Sequence, residues 1–224
     1  MSLTFAFHDA ELTAEPDGSL WWPGQSALTV ADLHLEKGTA LARRGALLPP
    51  FDTRETLVRL QAAILRRNPR RVISLGDAFH DPNGPIRLSA PDRAMLDELA
   101  RGRDWLWIAG NHEQDAVPFG EALDDLALGT LRFRHEPLPA ATPGEVAGHF
   151  HPKAAIRVHG RKVVRPCFAT DGERLILPAF GTFTGGLDLL HPGLRGLFGA
   201  DLCALMLAST TVHAVPAAKL VSVI

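Results

Sequence analysis

Apolar and polar positions follow two different periods in the first half of the chain. Short apolar runs at 27–31, 71–75 and 105–109 predict buried strands. Leu57, Leu60 and Ile64 recur on one helical face and predict a helix from Asp52 to about Arg67. A second helix is predicted at 90–101, with an inward face made of Met95, Leu96 and Leu99. Strands that alternate with helices predict an α/β fold with a parallel sheet.

The start and the stop of the first helix have local signals. Asp52 and Glu55 have the spacing of a capping box, with aspartate in place of the usual serine or threonine. Pro69 lies just beyond the expected end and prevents the helix from continuing into the next strand.

Beyond about residue 128 the pattern changes to short strands and turns. Gly160-Arg161 and the segment 170–172 are predicted hairpin turns, and the glycine-rich segment 181–186 is predicted to be a loop that could reach a site. The predicted strands are 131–134, 145–147, 155–159, 162–168, 174–177 and 202–207. This half is therefore expected to be β-rich.

Polar motifs follow each strand of the first half. Asp32, Asp77 and Asn111 come directly after or near the ends of the three predicted strands. Open α/β sheets bind ligands at the carboxyl ends of their strands, so we expect these side chains to converge. Further histidines lie in the second half. We therefore expect one site shared by two packed sheets, and a single domain at 1–224.

Composition narrows the class of protein. The chain has 224 residues, 46% of them apolar, which is enough for one large core or two small ones. No apolar run approaches the ~18 residues that cross a bilayer, and the first residues do not resemble a signal peptide, so we expect a soluble cytoplasmic protein. Cys167 and Cys203 are far apart and predict neither a disulfide framework nor a zinc knuckle.

The net charge of −2 argues against a protein that coats nucleic acid without preference. Local basic patches leave a nucleic-acid substrate open. The arginines at 66–71 lie at the end of a predicted helix, and the stronger interpretation is that they complement the helix dipole there rather than bind nucleic acid. The patches are Arg43-Arg44, Arg66-Arg67 with Arg70-Arg71, and Arg157, Arg161, Lys162 and Arg165.

Two motifs pair potential metal ligands at a spacing of two residues. Asp32 and His34, like His149 and His151, would share one face if the backbone is extended. The intervening Leu33 and Phe150 would then point into the core. Either motif alone usually has no functional meaning, but together the two could grip metal ions.

Other residues supply the remaining chemistry of a two-metal centre. Asp77 could bridge two cations, and Asn111 offers an amide oxygen. His112 could protonate a leaving group, with Glu113 orienting it. His135, between His112 and His149, is the natural candidate for the remaining donor. Each has an ordinary alternative, such as a Gly-Asp turn or a helix cap, but the joint order of the motifs predicts a two-metal phosphoesterase centre.

Some histidines and acidic residues lie outside these motifs. His80 and Asp81 follow Asp77 closely and either line the substrate face or are ordinary loop residues. Phe183, in the glycine-rich loop, is a candidate for substrate contact. The histidines interpreted as structural are His8, His159, His191 and His213.

From Asp32 to His151 these motifs resemble the calcineurin-like metallophosphoesterase superfamily. That resemblance implies a four-layer α/β/β/α sandwich of two packed mixed β-sheets flanked by helices. It implies that His112 is the non-ligand catalytic histidine. The implied ligands are Asp32, His34, Asp77 and His151 for one metal, and Asp77, Asn111, His135 and His149 for the other.

A narrower resemblance covers most of the chain. It is to the bacterial ligase-associated DNA damage response phosphoesterases, regarded as manganese-dependent phosphodiesterases or endonucleases in DNA end processing. It implies Mn²⁺ as the metal, DNA as substrate, and association with a DNA ligase and a helicase. Glu113 departs from the aspartate that is commoner in the superfamily. The segments that carry the resemblance are ADLHLEKG (31–38), GDAFHD (76–81), GHFHPK (148–153), RPCF (165–168) and LPAFG (177–181).

We therefore predict a metal-dependent phosphodiesterase, acting as a DNA endonuclease or end-processing nuclease. Two divalent cations ~3.5–4 Å apart would share a hydroxide that attacks phosphorus. The donor set suits Mn²⁺, with Fe or Zn²⁺ as alternatives. The rival functions are a phosphatase or small-molecule (nucleotide) phosphodiesterase of the same superfamily, and a metal-binding scaffold without catalysis.

Overall fold

The computed structural model describes residues 1–46, 51–112, 116–140 and 142–223. The first sheet has seven strands in the spatial order β1 to β7. Strands β1 to β4 pair antiparallel, and β4, β5, β6 and β7 run parallel to one another. The strands are β1 (Leu3–Phe7), β2 (Ala10–Ala14), β3 (Leu20–Trp22), β4 (Ala27–Ala31), β5 (Arg71–Leu75), β6 (Asp104–Ile108) and β7 (Ala122–Leu123).

Four helices accompany this sheet: α1 (Lys37–Arg43), α2 (Asp52–Arg67), α3 (Gly84–Arg87) and α4 (Ala90–Ala100). Helix α2 packs the apolar face predicted from Leu57, Leu60 and Ile64 against Leu28 and Val72 of the sheet. Both predicted long helices and the three predicted strands of this half are therefore confirmed, with boundaries that differ by at most one residue.

The predicted capping box at Asp52 is wrong. Phe51 occupies the cap position, without a side-chain capping bond, and Asp52 is already helical. Its buried Oδ2 instead accepts a hydrogen bond of 2.9 Å from the backbone N–H of Gly38 at the start of α1. A tertiary partner has replaced the local one, so Asp52 joins two helices.

The second sheet has eight strands in the order β15-β14-β12-β13-β10-β9-β8, and β11 pairs with β12 outside this path. Strands β9, β10 and β13 are parallel, whereas the other pairings are antiparallel. The strands are β8 (Asp125–Leu128), β9 (Leu131–Arg134), β10 (Glu145–Ala147), β11 (Lys153–Val158), β12 (Arg161–Thr170), β13 (Arg174–Ile176), β14 (Cys203–Leu207) and β15 (Val212–Pro216). The six strands predicted for this half are confirmed to within two residues.

The core consists of three apolar layers. One layer lies between the sheets, where Ile73 and Leu75 of the first meet Phe133, Phe168 and other residues of the second. A second layer lies under α2 and α4. A third covers the outer face of the second sheet with the segment 187–198, which contains the short helix α5 (Pro192–Arg195). This is the predicted α/β/β/α order, with a thin outer layer on the second sheet.

A fully buried ion pair joins two neighbouring strands of the second sheet. Glu145 begins β10, Arg174 begins β13, and the two residues are in register. Both are 0% exposed, and the guanidinium Nε of Arg174 donates to a carboxylate oxygen of Glu145. The other guanidinium nitrogens donate to the carbonyls of Leu197, Leu138 and Ala140.

The arginines at the end of α2 have partners within the fold. Arg66 pairs with Asp17 at 2.5 Å, and Arg67 pairs with Glu15, which is 1% exposed. Arg67 also lies over the ring of Trp21, at 5.8 Å. These contacts fasten α2 to the segment after β2, so this cluster is structural. No helix in the described part of the chain is long and apolar enough to cross a membrane.

Candidate metal centre

Three loops at the carboxyl edge of the first sheet deliver side chains to one point. Asp32 follows β4, Asp77 follows β5, and Asn111 with His112 follows β6. Asp77 Oδ1 accepts hydrogen bonds from the backbone N–H groups of Asn111, at 2.8 Å, and His112, at 3.0 Å. These bonds fix the carboxylate, and its second oxygen, Oδ2, faces His34 Nε2 at 3.8 Å.

The second sheet adds three histidines from its facing edge. His135 follows β9, and His149 and His151 follow β10. The backbone N–H of His149 lies 3.2 and 3.1 Å from the two carboxylate oxygens of Asp32. His151 Nε2 lies 3.4 Å from Asp32 Oδ1. The structure therefore brings the ligands predicted from both halves of the chain into one cluster.

The cluster contains overlapping groups of donor atoms. Within each group the donors lie no more than 4.8 Å apart, and Asp77 belongs to two of the groups. Its Oδ2 faces His34, whereas its Oδ1 lies 3.5 Å from His135 Nε2. Asp77 thus directs one carboxylate oxygen toward each of the two groups to which it belongs, which is the position of a ligand that bridges two metal ions. The groups are Asp32, His34 and His151; His34, Asp77 and His112; and Asp32, Asp77 and His135.

The donors predicted for the second metal also adjoin one another. His149 Nδ1 lies 3.2 Å from His135 Nε2 and 3.4 Å from the Asn111 side-chain amide. His135 Nδ1 is 3.1 Å from the carbonyl oxygen of Leu75 and can donate a proton to it. That hydrogen bond leaves the lone pair on Nε2, the nitrogen that faces Asp77, available to a metal.

Burial and charge distinguish this cluster from an ordinary ion-pair network. Asp32 is 0% exposed and Asp77 is 3% exposed. Within the described ranges, every ion-pair contact of these two carboxylates is with a histidine ring. Burial, and next the neighbouring His151, lower the pKa of His34 to about 2, and burial lowers the pKa of His149.

Two buried carboxylates lie close together here, and an uncompensated buried charge is costly. The donor set combines carboxylate and amide oxygens with imidazole nitrogens. Its charge and its chemistry therefore fit divalent cations.

The backbone of the ligand loops is left-handed rather than extended. The φ angles of Asp32 and His34 are 54° and 45°, and those of His149 and His151 are 71° and 47°. The expectation that extended backbone aligns each pair is therefore wrong. Left-handed conformation at alternate residues turns the chain across the end of the sheet, and the paired side chains still converge. Leu33 is buried as predicted, whereas Phe150 is only partly buried.

Two glycines lie where the ligand loops touch. A Cβ on Gly76 would come within 2.2 Å of the His135 ring, and a Cβ on Gly110 within 2.1 Å of the backbone nitrogen of Asp77. Any side chain at either position would displace a predicted ligand. The glycines before Asp77 and Asn111 are therefore required by close packing.

His112 lies at the rim of the cluster. Its side chain is 46% exposed, and its Nε2 is 3.7 Å from Asp77 Oδ2. The ring of His80 stacks on it, with centroids 5.2 Å apart, and burial lowers the pKa of His80. Glu113, predicted to orient His112, lies outside the described residues.

The other two candidates for substrate contact have different surroundings. Asp81 makes two hydrogen bonds of 2.8 Å with Arg87, so its carboxylate holds α3 rather than lying free in the site. Phe183 is 47% exposed, has a φ of 57°, and lies on the wall of a groove beside the cluster.

Sequence reasoning gave no separate role to Glu36, which supports the first ligand loop. Glu36 is buried, and its carboxylate accepts hydrogen bonds from Thr39 at 2.6 Å and Thr53 at 3.1 Å. Thr53 also accepts a bond of 2.7 Å from the Glu36 backbone. Burial raises the pKa of Glu36. Because Thr53 is on α2, no local pattern would have revealed this contact.

The fold is similar to that of the nuclease MPE from Pseudomonas putida, with a TM-score of 0.74 and 25% identity over 96% of this chain and 100% of that chain. It is more distantly similar to Yfce, a phosphoesterase from E. coli, with a TM-score of 0.43 and 16% identity over 85% of this chain and 98% of that chain. No protein-family model and no curated protein matches the sequence. The full-length match to MPE confirms the predicted fold.

Proposed function

We propose that the chain is a metallophosphoesterase, and hence a metal-dependent enzyme. On that premise we propose that it cleaves phosphodiester bonds in nucleic acid. The observation that carries the proposal is the full-length similarity to a nuclease, combined with a bridging carboxylate at the centre of the donor cluster. We further propose that residues 1–224 form a single domain and that the substrate is DNA, cut internally or near an end during the response to DNA damage.

The ligand sets proposed are those implied by the resemblance. Asp32, His34, Asp77 and His151 would hold one cation, and Asp77, Asn111, His135 and His149 the other. Mn²⁺ suits the mixture of oxygen and nitrogen donors. When bound, such cations lower the pKa of a water molecule and neutralise charge on the phosphate oxygens.

His112 is the residue proposed to act on the leaving group. Its partly exposed ring reaches the rim of the cluster, and the hydrogen bond from its backbone to Asp77 fixes the start of its loop. A protonated imidazole at this position would donate its proton to the departing alkoxide. Glu113 is proposed to orient the ring.

The narrower resemblance alone supports a proposal for the cellular role. We propose that the protein is cytoplasmic and works with a DNA ligase and a helicase.

The experiment that tests the proposal uses metal-stripped protein with and without Mn²⁺. Its substrates are bis(para-nitrophenyl) phosphate, the matching monoester, and single-stranded DNA in closed circular and in linear form. We expect Mn²⁺-dependent hydrolysis of the diester over the monoester, and cleavage of DNA. Conversion of circles to linear strands requires internal cutting, whereas cleavage of linear strands alone indicates cutting near an end. Preference for the monoester would favour the phosphatase alternative. Hydrolysis of the small diester without cleavage of DNA would favour a small-molecule phosphodiesterase.

A further inference from the structure

A groove begins at the metal centre and continues across the junction of the two sheets. Its first part has a volume of about 210 Å³ and is lined by His151 and Lys153, among others. Its second part has a volume of about 560 Å³ and is lined by Arg59 and Phe183, among others. Both parts share Arg165, Pro166, Ala179 and Thr184, so they form one continuous surface.

The groove is basic. Arg165 is exposed, and its guanidinium donates to the carbonyl of the neighbouring Val164, at 2.8 Å. Lys153 is half-buried beside His151. Asp17 also lines the groove, but its carboxylate is paired with Arg66. Positive charge along a groove that leads to a phosphoesterase centre would attract further phosphates of the same substrate.

An aromatic ring stands on the wall of the same groove. The loop that carries Phe183 is anchored by Thr182, whose backbone N–H donates to Thr56 at 3.1 Å and whose hydroxyl donates to the Asp52 carbonyl at 3.0 Å. The backbone next to the half-exposed ring is therefore held in place. Nucleic-acid bases stack on such rings in a manner that tolerates different sequences, but only if the base is unpaired.

The opposite side of the metal centre has the opposite charge. Asp124, Asp125 and Glu136 are exposed and line a hollow of about 320 Å³ together with Asn111 and His135. Glu136 lies 4.0 Å from His149. Arg134, the one cation lining this hollow in the part of the chain that the structure describes, contacts Asp125 at 3.7 Å and Glu145 at 3.3 Å.

We propose that the groove binds the nucleotide next to the scissile phosphodiester of a single-stranded nucleic acid. The base stacks on Phe183, and the next phosphate pairs with Arg165 and Lys153. The strand is held on this side only, because the acidic hollow repels phosphates on the other side. This inference rests on the proposed function and adds to it the residues that select a polymer and the side on which the polymer lies.

The first test separates polymer binding from chemistry. Arg165→Gln and Phe183→Ala should lower kcat/KM for single-stranded DNA on the order of tenfold while leaving hydrolysis of bis(para-nitrophenyl) phosphate within about twofold. Arg165→Gln should also reduce the slope of log kcat/KM against log salt concentration by about 0.7, the contribution of one phosphate contact on a single strand. Arg157→Gln, an exposed arginine of the same hairpin outside the groove lining, is the matched control and should change neither substrate.

The second test addresses the side on which the strand lies. A single-stranded oligonucleotide with one cleavable phosphodiester receives neutral methylphosphonate linkages on one flank or on the other. Neutral linkages on one flank should lower kcat/KM on the order of tenfold, whereas on the other flank they should leave it unchanged or raise it. The Arg165→Gln variant should distinguish the two substrates less strongly, because Lys153 and the acidic hollow remain.

The possible results separate this inference from the proposed function. If the unmodified protein hydrolyses neither the small diester nor DNA with Mn²⁺, the proposed function fails. If it hydrolyses both, but Arg165→Gln affects them equally or not at all, the groove does not bind the strand. Equal losses from neutral linkages on both flanks would overturn the one-sided arrangement.

Discussion

Two parts of this molecule bury carboxylates to the same degree and treat their charge differently. In the second sheet, Glu145 meets Arg174, and both side chains are 0% exposed. At the edge between the sheets, Asp32 is equally buried but meets only the rings of histidines in its ion-pair contacts within the described residues. The charge of Glu145 is balanced within the chain, by Arg174 and by Arg134 at 3.3 Å. That of Asp32 requires a cation from solution, and this difference separates a structural ion pair from a metal centre.

Removal of the bridging carboxylate should have the largest effect and tests directly whether the buried acidic residues between the sheets bind a metal. Asp77→Ala should abolish Mn²⁺ binding and lower turnover by more than the ~10²–10⁴-fold expected for loss of a general acid alone. Metal content after dialysis and hydrolysis of the small diester measure the two effects. Normal metal content in this variant would show that Asp77 is not a shared ligand.

His112→Ala should separate catalysis from metal binding. Because its ring lies at the rim of the cluster, the variant should bind Mn²⁺ normally while turnover falls by ~10²–10⁴-fold. A diester with a good leaving group needs less protonation, so it should be the less affected substrate. Unaltered hydrolysis of diesters with poor leaving groups would contradict the proton-donor role.

Removing one member of the fully buried ion pair should act on stability alone. Arg174→Met removes the fully buried partner of Glu145 and leaves Arg134, at 3.3 Å, as its cation, so the free energy of unfolding should fall by up to about 3–5 kcal/mol. Urea denaturation measures the loss, and metal affinity of the folded protein should not change. The double variant Arg174→Met/Glu145→Leu removes both charges and should recover much of the loss. A double variant as unstable as the single one would point to the carbonyl contacts of Arg174 instead.

The smallest expected effect is a pH dependence of the metal-free protein. His34 has a pKa of about 2 when folded, against 6.5 ordinarily, so below pH ~6.5 the unfolded chain binds a proton that the folded chain does not. Stability should therefore fall as the pH falls, by up to about 1.4 kcal/mol per pH unit from this residue. His34→Asn should reduce that slope in urea titrations below about pH 7, by an amount that approaches one proton near about pH 5. An unchanged slope would assign the dependence to other groups.

Much of the fold could be predicted because its signals are local. The strands β4, β5 and β6 are short apolar runs, and α2 carries a regular apolar face. The convergence of their polar ends follows from parallel pairing. Strands β1, β2, β3, β7, β8 and β15 are not predicted from the sequence. In β1, Leu3, Phe5 and Phe7 alternate with more exposed residues, a pattern typical of a half-buried strand.

The remaining features depend on contacts between distant segments. Asp52 has the local pattern of a helix cap, yet it binds the backbone of Gly38. The left-handed conformation of Asp32 and His34 is unfavourable for these residues in isolation, and neighbouring strands hold it: the His34 N–H donates to the Asp77 carbonyl at 2.8 Å. Propensity and spacing contain no information on such bonds.

The glycines that separate the ligand loops have a consequence for how such enzymes diversify. At Gly76 and Gly110 even a methyl group would collide with the residues that hold the centre, so mutation cannot reshape the reacting pocket from these positions. In the groove, Arg165 and Phe183 are exposed, so the packing that restricts Gly76 and Gly110 does not restrict their side chains. A lineage with this architecture should therefore acquire new substrates through changes in the groove while its chemistry stays constant.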